Sequence, residues 1–298
     1  MVRTLILGAT GMLGHKLTQV FSQQFEVFAT SRSSTEALAG HPVISQKGLL
    51  GNVLVENFDS VVRAIAIAKP QCVVNCIGVI KQHHSASDPL TSIPVNSLFP
   101  HRLAQVCQAA GIRLIHISTD CVFTGRKGNY LESDVADAED LYGRTKLLGE
   151  VSGDGCLTVR TSIIGRELES SYGLVEWFLS QEGKAIRGYK KAIFSGFTTN
   201  ALAEIIAQII IKHSDLHGVW HVAAEPIDKF ALLSLVKEIY HLDIQIEPDE
   251  IFACDRHLNC DRFKQATGFV PPSWPDMINQ MYQDPTPYSK LRGSYANR

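Results

Sequence analysis

The sequence has no excess of charge of either sign. Lysine and arginine together number 28 and aspartate and glutamate 30, so the formal net charge is -2. Proteins whose main partner is nucleic acid or an anionic membrane normally need a basic excess, so this balance argues against both partners. No stretch approaches the roughly 18 consecutive apolar residues of a membrane span. The apolar run at the start ends at Gly8, too early for a signal peptide. We therefore expect a cytoplasmic globular protein.

The cysteines show neither a disulfide framework nor the spacing of a zinc site. Their number, seven, is odd, and no two of them form a C-x-x-C pair. Histidines and acidic residues likewise have no spacing that suggests a metal. These absences predict free thiols in a reducing compartment and no metal site.

What is present is the pattern of an α/β protein. The first half alternates short apolar strands with segments of helical period, which is typical of a parallel sheet covered on both faces. We therefore predict a Rossmann-type doubly wound parallel sheet. The predicted strands are 4–7, 25–30, 53–56, 72–77, 114–118 and 157–160. The predicted helices of this half are 13–24, 58–69, 96–110 and 141–150.

The alternation loosens after about residue 165. Further helices are predicted at 174–181, 201–213 and 230–240. A prior of roughly 150 residues per domain gives about two domains for this length. We predict a large sheet domain at 1–165 and a smaller α/β region at 166–298. Because no linker separates them, we expect the two to be interleaved.

A glycine-rich turn follows the first predicted strand. Gly8, Gly11 and Gly14 form a G-x-x-G-x-x-G sequence that leads directly into the first helix. Such a turn lets the backbone approach a pyrophosphate, whose charge is met by the amides at the helix N-terminus. The alternative is a tight turn that only packs the helix on the strand. The position directly after an apolar strand favours dinucleotide binding.

The residues after the second strand bear on the choice of dinucleotide. NAD-selective sites usually have an acidic residue there for the ribose hydroxyl, whereas a 2'-phosphate needs positive charge. This sequence has Ser31 and Arg32 and no acidic residue. Arg32 can pair with a phosphate and the hydroxyl of Ser31 can hydrogen-bond to it. NADP(H) is therefore favoured, and NAD(H) remains the alternative.

A Y-x-x-x-K pair opens the predicted helix at 141–150. Tyr142 and Lys146 are four residues apart and so share one helix face. We expect the ammonium of Lys146 to lower the pKa of Tyr142 and make the phenol an acid–base group. Ser118, Thr119 and Asp120 end the fifth strand, where ligands collect in open parallel sheets. A hydroxyl there can hydrogen-bond a substrate oxygen. The alternative is a surface tyrosine stacked on a lysine side chain.

These segments identify a resemblance. The sequence is similar to the extended short-chain dehydrogenase/reductase superfamily and, within it, to the dTDP-4-dehydrorhamnose reductase-like branch. The matching segments include GATGMLG (8–14), KPQCVVNCIG (69–78), HISTDCVFTGRKGNY (116–130), DLYGRTKLLGE (140–150) and VRTSIIG (159–165). The resemblance implies NAD(P)(H) on the N-terminal domain and a nucleotide-linked sugar in the cleft to the C-terminal region. It also implies hydride reduction of a 4-keto group.

The resemblance implies roles for the residues that match the family's motifs. The catalytic residues are Thr119, Tyr142 and Lys146. The pyrophosphate loop consists of Gly8, Thr10, Gly11, Met12 and Leu13. The residues flanking the adenine are Asn57 and Phe58, those under the cofactor are Cys76, Ile77 and Gly78, and Thr161 and Ser162 lie near the nicotinamide. Asn96 matches an Asn of the family, and a helix cap is an equal alternative.

The expected substrate residues include two departures from the family. Rhamnose-forming members have Tyr and Trp at the positions of Cys121 and Ile163. We therefore expect a sugar pocket of different shape, with Asp120 and Arg256 as further substrate-binding residues. An insertion at 81–84 follows strand four. This insertion could contact substrate or cofactor, but the more ordinary interpretation is a solvated polar loop.

Together these features predict an NADPH-dependent reductase of a nucleotide-linked 4-keto-6-deoxy sugar, in surface polysaccharide or deoxysugar biosynthesis. One alternative is an epimerase or dehydratase of the same superfamily, although dehydratases carry Glu after Thr-Asp, where this sequence has Cys121. Another is a non-catalytic dinucleotide-binding regulatory subunit. The oligomeric state stays open, with a homodimer as a candidate.

Overall fold

The computed structural model describes residues 1–82, 84–288 and 291, and within these it contains a seven-stranded parallel sheet flanked by helices. The strands are β1 (Arg3–Leu7), β2 (Glu26–Thr30), β3 (Leu49–Leu50), β4 (Cys72–Asn75), β5 (Arg113–Ile117), β6 (Cys156–Arg160), β7 (Ile163–Ile164), β8 (Ala185–Phe194), β9 (Phe197–Thr198), β10 (Gly218–His221), β11 (Ile227–Asp228) and β12 (Gln245–Asp255). The helices are α1 (Met12–Phe21), α2 (Phe58–Ala68), α3 (Pro89–Ser92), α4 (Phe99–Ala109), α5 (Leu141–Leu148), α6 (Leu174–Leu179), α7 (Thr199–Lys212), α8 (Lys229–Tyr240), α9 (Asp261–Thr267) and α10 (Trp274–Tyr282). The predicted Rossmann-type class is confirmed.

The order of strands in the large sheet creates a crevice at its centre. The order is β10-β6-β5-β4-β1-β2-β3, and all neighbouring strands are parallel. The chain leaves β1 toward β2 on one side and later crosses to β4 on the other. The loops after β1 and β4 therefore separate, and this is where open α/β sheets bind ligands. The central strands β1 and β4 are buried along nearly their whole length because helices cover both faces.

The second half adds a smaller sheet and returns to the large one. Strands β11, β8 and β12 form a three-stranded sheet, with β8 in the middle. Strand β10, well beyond residue 165, pairs with β6 and completes the large sheet. Residues 284–288, which we call the C-terminal strap, lie against α1, where the hydroxyl of Tyr288 is 2.8 Å from Nε2 of His15.

Two local predictions are wrong. The third strand is Leu49–Leu50 instead of 53–56, because Asn52 takes a positive φ of 56° that interrupts the extended backbone before Val53. The helix predicted from residue 96 begins as a π-helical turn over Ile93–Leu98, and α4 starts only at Phe99. Both differences lie beside the ligand-binding edge of the sheet. The predicted free thiols are confirmed for all seven cysteines.

Candidate active site

The glycine-rich turn after β1 is built for close approach of backbone to backbone. Gly8 has a φ of +90°, which a residue with a side chain rarely adopts. A Cβ on Gly14 would lie 1.9 Å from the carbonyl oxygen of Gly8, so only glycine lets α1 pack this tightly on the loop. A Cβ on Gly11 would make only an ordinary contact of 3.4 Å. The turn thus leaves a backbone-lined cradle at the start of α1.

The N-terminus of α1 faces this cradle. Gly11 is its N-cap and offers no side chain to the free amides of the first turn. Thr10 and Met12 are partly buried and Gly11 is exposed, whereas the side chain of Leu13 is in the core. Leu13 can therefore meet a ligand only through its backbone. The free amides and the helix dipole suit a pyrophosphate.

The end of β2 carries an exposed cation. Arg32 is exposed, and no acidic partner is found for it among the described residues. Ser31 is buried, and its hydroxyl accepts a hydrogen bond from the amide of Ser33 at 3.1 Å. Arg32 is thus available to an added phosphate, and the Ser31 hydroxyl, which accepts from Ser33, keeps its own O–H to donate.

The residues expected at the adenine do not lie directly after β3. Asn57 and Phe58 are at the start of α2, where Phe58 packs on Phe99 and lies 4.0 Å from the guanidinium of Arg102. Asn52 follows β3 more closely. The misplaced third strand explains the offset between the expected and the observed positions.

The stretch after β4 is held by a buried asparagine. Cys76, Ile77 and Gly78 follow β4 toward the crevice, and the amide of Val79 donates to Oδ1 of Asn96 at 2.8 Å. Nδ2 of Asn96 lies 3.3 Å from the hydroxyl of Thr145 in α5. Asn96 is 1% exposed. It is therefore no helix cap, and it ties the loop expected under the cofactor to the helix that carries Tyr142 and Lys146.

Thr119, Tyr142 and Lys146 come together beyond the end of β5. Helix α5 begins after Asp140, whose carboxylate accepts a hydrogen bond from the amide of Gly143 at 2.7 Å. Nζ of Lys146 donates to the carbonyl of Ile117 at 2.7 Å. The hydroxyl of Tyr142 interacts with that of Thr119.

Neighbouring hydroxyls are distinguished by their partners. Ser118 donates its hydroxyl to Glu150 at 2.8 Å and is thus occupied. Thr119 donates its hydroxyl to Oδ1 of Asp120 at 3.2 Å and accepts from the amide of Cys121 at 3.1 Å. Thr119 lies beside Tyr142 and its bond to the carboxylate is longer than that of Ser118, so Thr119 is the hydroxyl better placed to turn to a substrate oxygen.

Burial decides the protonation of these groups. It raises the pKa of Tyr142 above its ordinary value, and the interaction with Thr119 only partly opposes this. The expected lowering of the Tyr142 pKa by Lys146 is thus wrong for the protein alone, because burial dominates and Lys146 is not among the main groups that shift this pKa. Burial also lowers the pKa of Lys146 to about 8, against the opposing charge of Glu150. The phenol is protonated at neutral pH and can act as an acid.

The residues expected at the substrate lie around the same edge, with one addition. Asp120 is buried, and the charges of Arg256 and Lys229 oppose the effect of burial on its pKa. Nε of Arg256 donates to the carbonyl of Phe123 at 2.8 Å. Burial raises the pKa of the Cys121 thiol to about 12, so this thiol is not a nucleophile at neutral pH. Lys229 was missed because no local motif surrounds it.

The remaining expected positions lie on either side of this group. Thr161 is buried and its carbonyl accepts from the amide of Asp120 at 3.2 Å. Ile163 is the first residue of β7 and is partly buried. In the insertion, Lys81 pairs with Asp140 at 2.6 Å, and His83 lies outside the described residues.

Three further features concern the described part of the chain. It contains no group of three or more His, Cys, Asp or Glu that could hold a metal ion. No helix in it is long and apolar enough to cross a membrane. A surface groove of about 590 Å³ between α7, α9 and α10 shares no residue with the site above. This groove is therefore separate from the candidate active site.

Similar proteins are found by sequence and by structure. A dTDP-4-dehydrorhamnose reductase of Streptomyces griseus is 33% identical over 150 residues, 50% of this chain and 43% of that protein. Methionine adenosyltransferase 2 subunit beta of Rattus norvegicus is 33% identical over 148 residues, 50% of this chain and 41% of that protein. These matches span less than half of either relative.

A structure of dTDP-4-dehydrorhamnose reductase from Bacillus anthracis in complex with NADP has a TM-score of 0.77. At 20% identity it covers 94% of this chain and 98% of its own, so it supports the fold. The family described as RmlD substrate binding domain matches residues 2–286. The chain belongs to this family.

Proposed function

We propose that the protein is an NADPH-dependent reductase of a nucleotide-linked 4-keto-6-deoxy sugar. The observation that carries the proposal is the convergence of Thr119, Tyr142 and Lys146 beside the crevice that the glycine turn also borders. The reductases from S. griseus and B. anthracis are relatives by sequence and by fold, respectively. A homodimer and a cytoplasmic location stay predictions from the sequence.

The cofactor site is assigned to residues 1–165. Gly8, Thr10, Gly11, Met12 and Leu13 would hold the pyrophosphate through backbone amides, and Arg32 the 2'-phosphate. Asn57, Phe58, Cys76, Ile77, Gly78 and Thr161 complete the proposed contacts. NADPH supplies the hydride when bound. The backbone-lined turn at the start of α1, with Gly8 at a φ of +90° and the free amides of the first helical turn, is the structural feature that fits a dinucleotide.

The chain's own residues handle the proton and the developing charge. Tyr142 donates its phenolic proton to the keto oxygen as that oxygen gains negative charge, and the hydroxyl of Thr119 hydrogen-bonds the same oxygen. Lys146, anchored on Ile117, stabilises the tyrosinate that is left and holds the nicotinamide ribose. Because burial keeps the pKa of Tyr142 high, the phenol enters the step protonated.

The sugar pocket is assigned to Asp120 and Cys121 in the loop after β5, to Ile163 in β7 and to Arg256 in the second half of the chain. Cys121 and Ile163 are smaller than the aromatic residues of rhamnose-forming members. We therefore expect a bulkier or differently placed substituent on the sugar than in dTDP-4-dehydrorhamnose.

The experiment measures NADPH oxidation at 340 nm with a panel of NDP-4-keto-6-deoxy sugars. Tyr142→Phe should lower kcat by about a thousandfold, since general acid catalysis contributes on the order of 10²–10⁴. NADPH affinity should stay within about twofold. Tyr282→Phe, at an exposed tyrosine far from the site, is the matched control.

The outcomes separate the three candidate functions. Unchanged turnover in Tyr142→Phe contradicts the catalytic assignment. Catalysis with tightly bound, regenerated NAD and no net NADPH consumption favours an epimerase or dehydratase. Tight NADPH binding with no oxidation by any keto sugar favours a regulatory subunit, and the rat relative is named as a subunit.

The preference for NADPH is tested at Arg32. Arg32→Asp should weaken NADPH binding by about tenfold or more and affect NADH much less, because only NADPH carries the 2'-phosphate. Arg63→Asp, on α2, serves as the charge-matched control. Equal effects of Arg32→Asp on both cofactors would contradict the assignment.

A further inference from the structure

Lys229 brings an ammonium from the second half of the chain to the catalytic edge. It is the first residue of α8, directly after the N-cap Asp228, whose carboxylate accepts from the amide of Ala231 at 2.7 Å. Strand β11, just before it, pairs with Ile193 and Phe194 of β8. Nζ of Lys229 lies 4.1 Å from the centre of the Phe194 ring. The fold therefore fixes this side chain on both sides.

The ammonium of Lys229 has no hydrogen-bond acceptor among the described residues, although it is partly buried. Burial lowers its pKa to about 8, and the nearby groups that oppose this are Asp120, Cys121 and Cys254. The ammonium nitrogen is not one of the fully buried polar atoms that lack a partner, so it stays in contact with solvent and can be reached by a ligand. Three N–H donors remain for a ligand.

Arg256 is the second cation at this place. Its Nε is bonded to Phe123, which leaves the terminal guanidinium nitrogens without an acceptor among the described residues. Asp120 is a single carboxylate facing both cations. The cluster thus has a surplus of one positive charge next to Thr119, where a sugar ring would lie.

We propose that Lys229 and Arg256 together bind the sugar-bearing phosphate of the nucleotide sugar. This assignment rests on the proposed function and adds Lys229 to its site. A phosphate offers several acceptor oxygens and a negative charge, which match the free donors and the surplus charge, whereas a neutral hydroxyl would supply no charge. One sugar ring separates the anomeric phosphate from C4, and the pair of cations is next to the residue that would meet the C4 oxygen.

The test is calorimetric binding of dTDP and UDP, and of thymidine and uridine, to the NADPH-loaded protein. Lys229→Met should weaken binding of the preferred nucleoside diphosphate by about tenfold or more and leave nucleoside binding unchanged. Lys229→Arg should restore affinity to within about threefold. Lys237→Met, on the same helix, should change nothing.

The pH dependence gives a second readout. A bound phosphate raises the pKa of Lys229, so affinity in the unsubstituted protein should fall as pH rises from 7 to 9. The titratable and charged groups around Lys229 are Asp120, Cys121, Cys254, Arg256, Asp228 and Lys190. The pH dependence should flatten in Lys229→Met if Lys229 is its source.

Each result supports or overturns the assignment. Equal affinity of the protein and Lys229→Met for dTDP and UDP, with turnover intact, overturns the phosphate contact and leaves the reductase standing. An equal loss for thymidine or uridine overturns it too, because it reveals a structural role. If neither diphosphate binds and no keto sugar oxidises NADPH, the proposed function itself fails.

Discussion

Two lysines withdrawn from solvent behave in opposite ways. Lys16, on α1, donates to Gln19 at 2.7 Å and to Thr286 at 3.0 Å and pairs with Asp284 of the C-terminal strap. Lys229, on α8, has an aromatic ring beneath it and no acceptor among the described residues. The first belongs to a closed polar network and the second to an open one.

The difference separates a structural site from a ligand site. Around Lys16 the donors and acceptors satisfy each other, and Asp284 also accepts from Asn200 at 2.6 Å. This network anchors α1 to the C-terminal strap and so stabilises the position of the glycine-rich turn that precedes α1. Around Lys229 the positive charge has no hydrogen-bond acceptor among the described residues and is available to a ligand. Polar atoms without a partner also occur elsewhere in the described residues, such as Nε of Arg113 and Nε2 of His116, so free donors indicate function at Lys229 because they lie beside the catalytic residues.

The largest effect is expected for Asp284→Asn. It leaves the ammonium of Lys16, whose side chain is 3% exposed, without a counter-charge, and this should lower the free energy of unfolding by about 3 to 5 kcal/mol. Chemical denaturation measures it. Glu139→Gln, which breaks the exposed pair with Arg126, should cost less than about 0.5 kcal/mol. Similar losses in both variants would contradict the role of the network.

Acid should weaken the same network. Nδ1 of His15 donates to the carbonyl of Gly11, and Nε2 lies 2.8 Å from the hydroxyl of Tyr288, which donates to it when the ring is neutral. Burial lowers its pKa to about 4. Because the unfolded chain binds this proton near pH 6.5, stability is full above pH 6.5 and falls toward pH 4, by roughly 3 kcal/mol from this residue.

Unfolding measured between pH 7 and 4 tests the contribution of His15. His15→Gln should flatten the curve only in part, because burial also lowers the pKa of His221, to about 3. The exposed His217→Gln should leave the curve unchanged. A curve for His15→Gln that is as steep as that of the unsubstituted protein would contradict the assignment.

The smallest effect is expected for the stability of Lys229→Met. Removing a charge that lacks partners relieves its desolvation, so the free energy of unfolding should stay within about 1 kcal/mol or rise. Thermal unfolding without ligand, beside Lys16→Met as the destabilised counterpart, provides the measurement. A loss above about 2 kcal/mol would mean that Lys229 is structural.

The parts of the site that the sequence predicts are those with local signals. The glycine-rich turn is predicted from three residues within one loop, and the pairing of Tyr142 with Lys146 is predicted from the period of one helix. Arg32 follows from its place after an apolar strand. For the same reason the Rossmann-type sheet could be recognised from alternation alone.

The parts that it does not predict depend on distant contacts or on burial. Lys16 and Asp284 are 268 residues apart in sequence. Lys229 stands in a sequence without a motif and reaches the site only because β11 pairs with β8. The raised pKa of Tyr142 reflects the desolvation of its phenol, which residue spacing cannot reveal. The third strand was misplaced because two residues of pairing leave hardly any periodic signal.

The position of β10 at the end of the large sheet has a consequence for synthesis. Strand β6 is buried along its length, and within the described residues its outer edge is covered by residues 218–221. While the chain emerges from the ribosome, that edge therefore stays unpaired for nearly sixty residues. An open apolar strand edge is a template for aggregation. Residues 1–165 alone would leave this edge unpaired permanently. Pairing with β10 from the second half therefore protects the first half from aggregation.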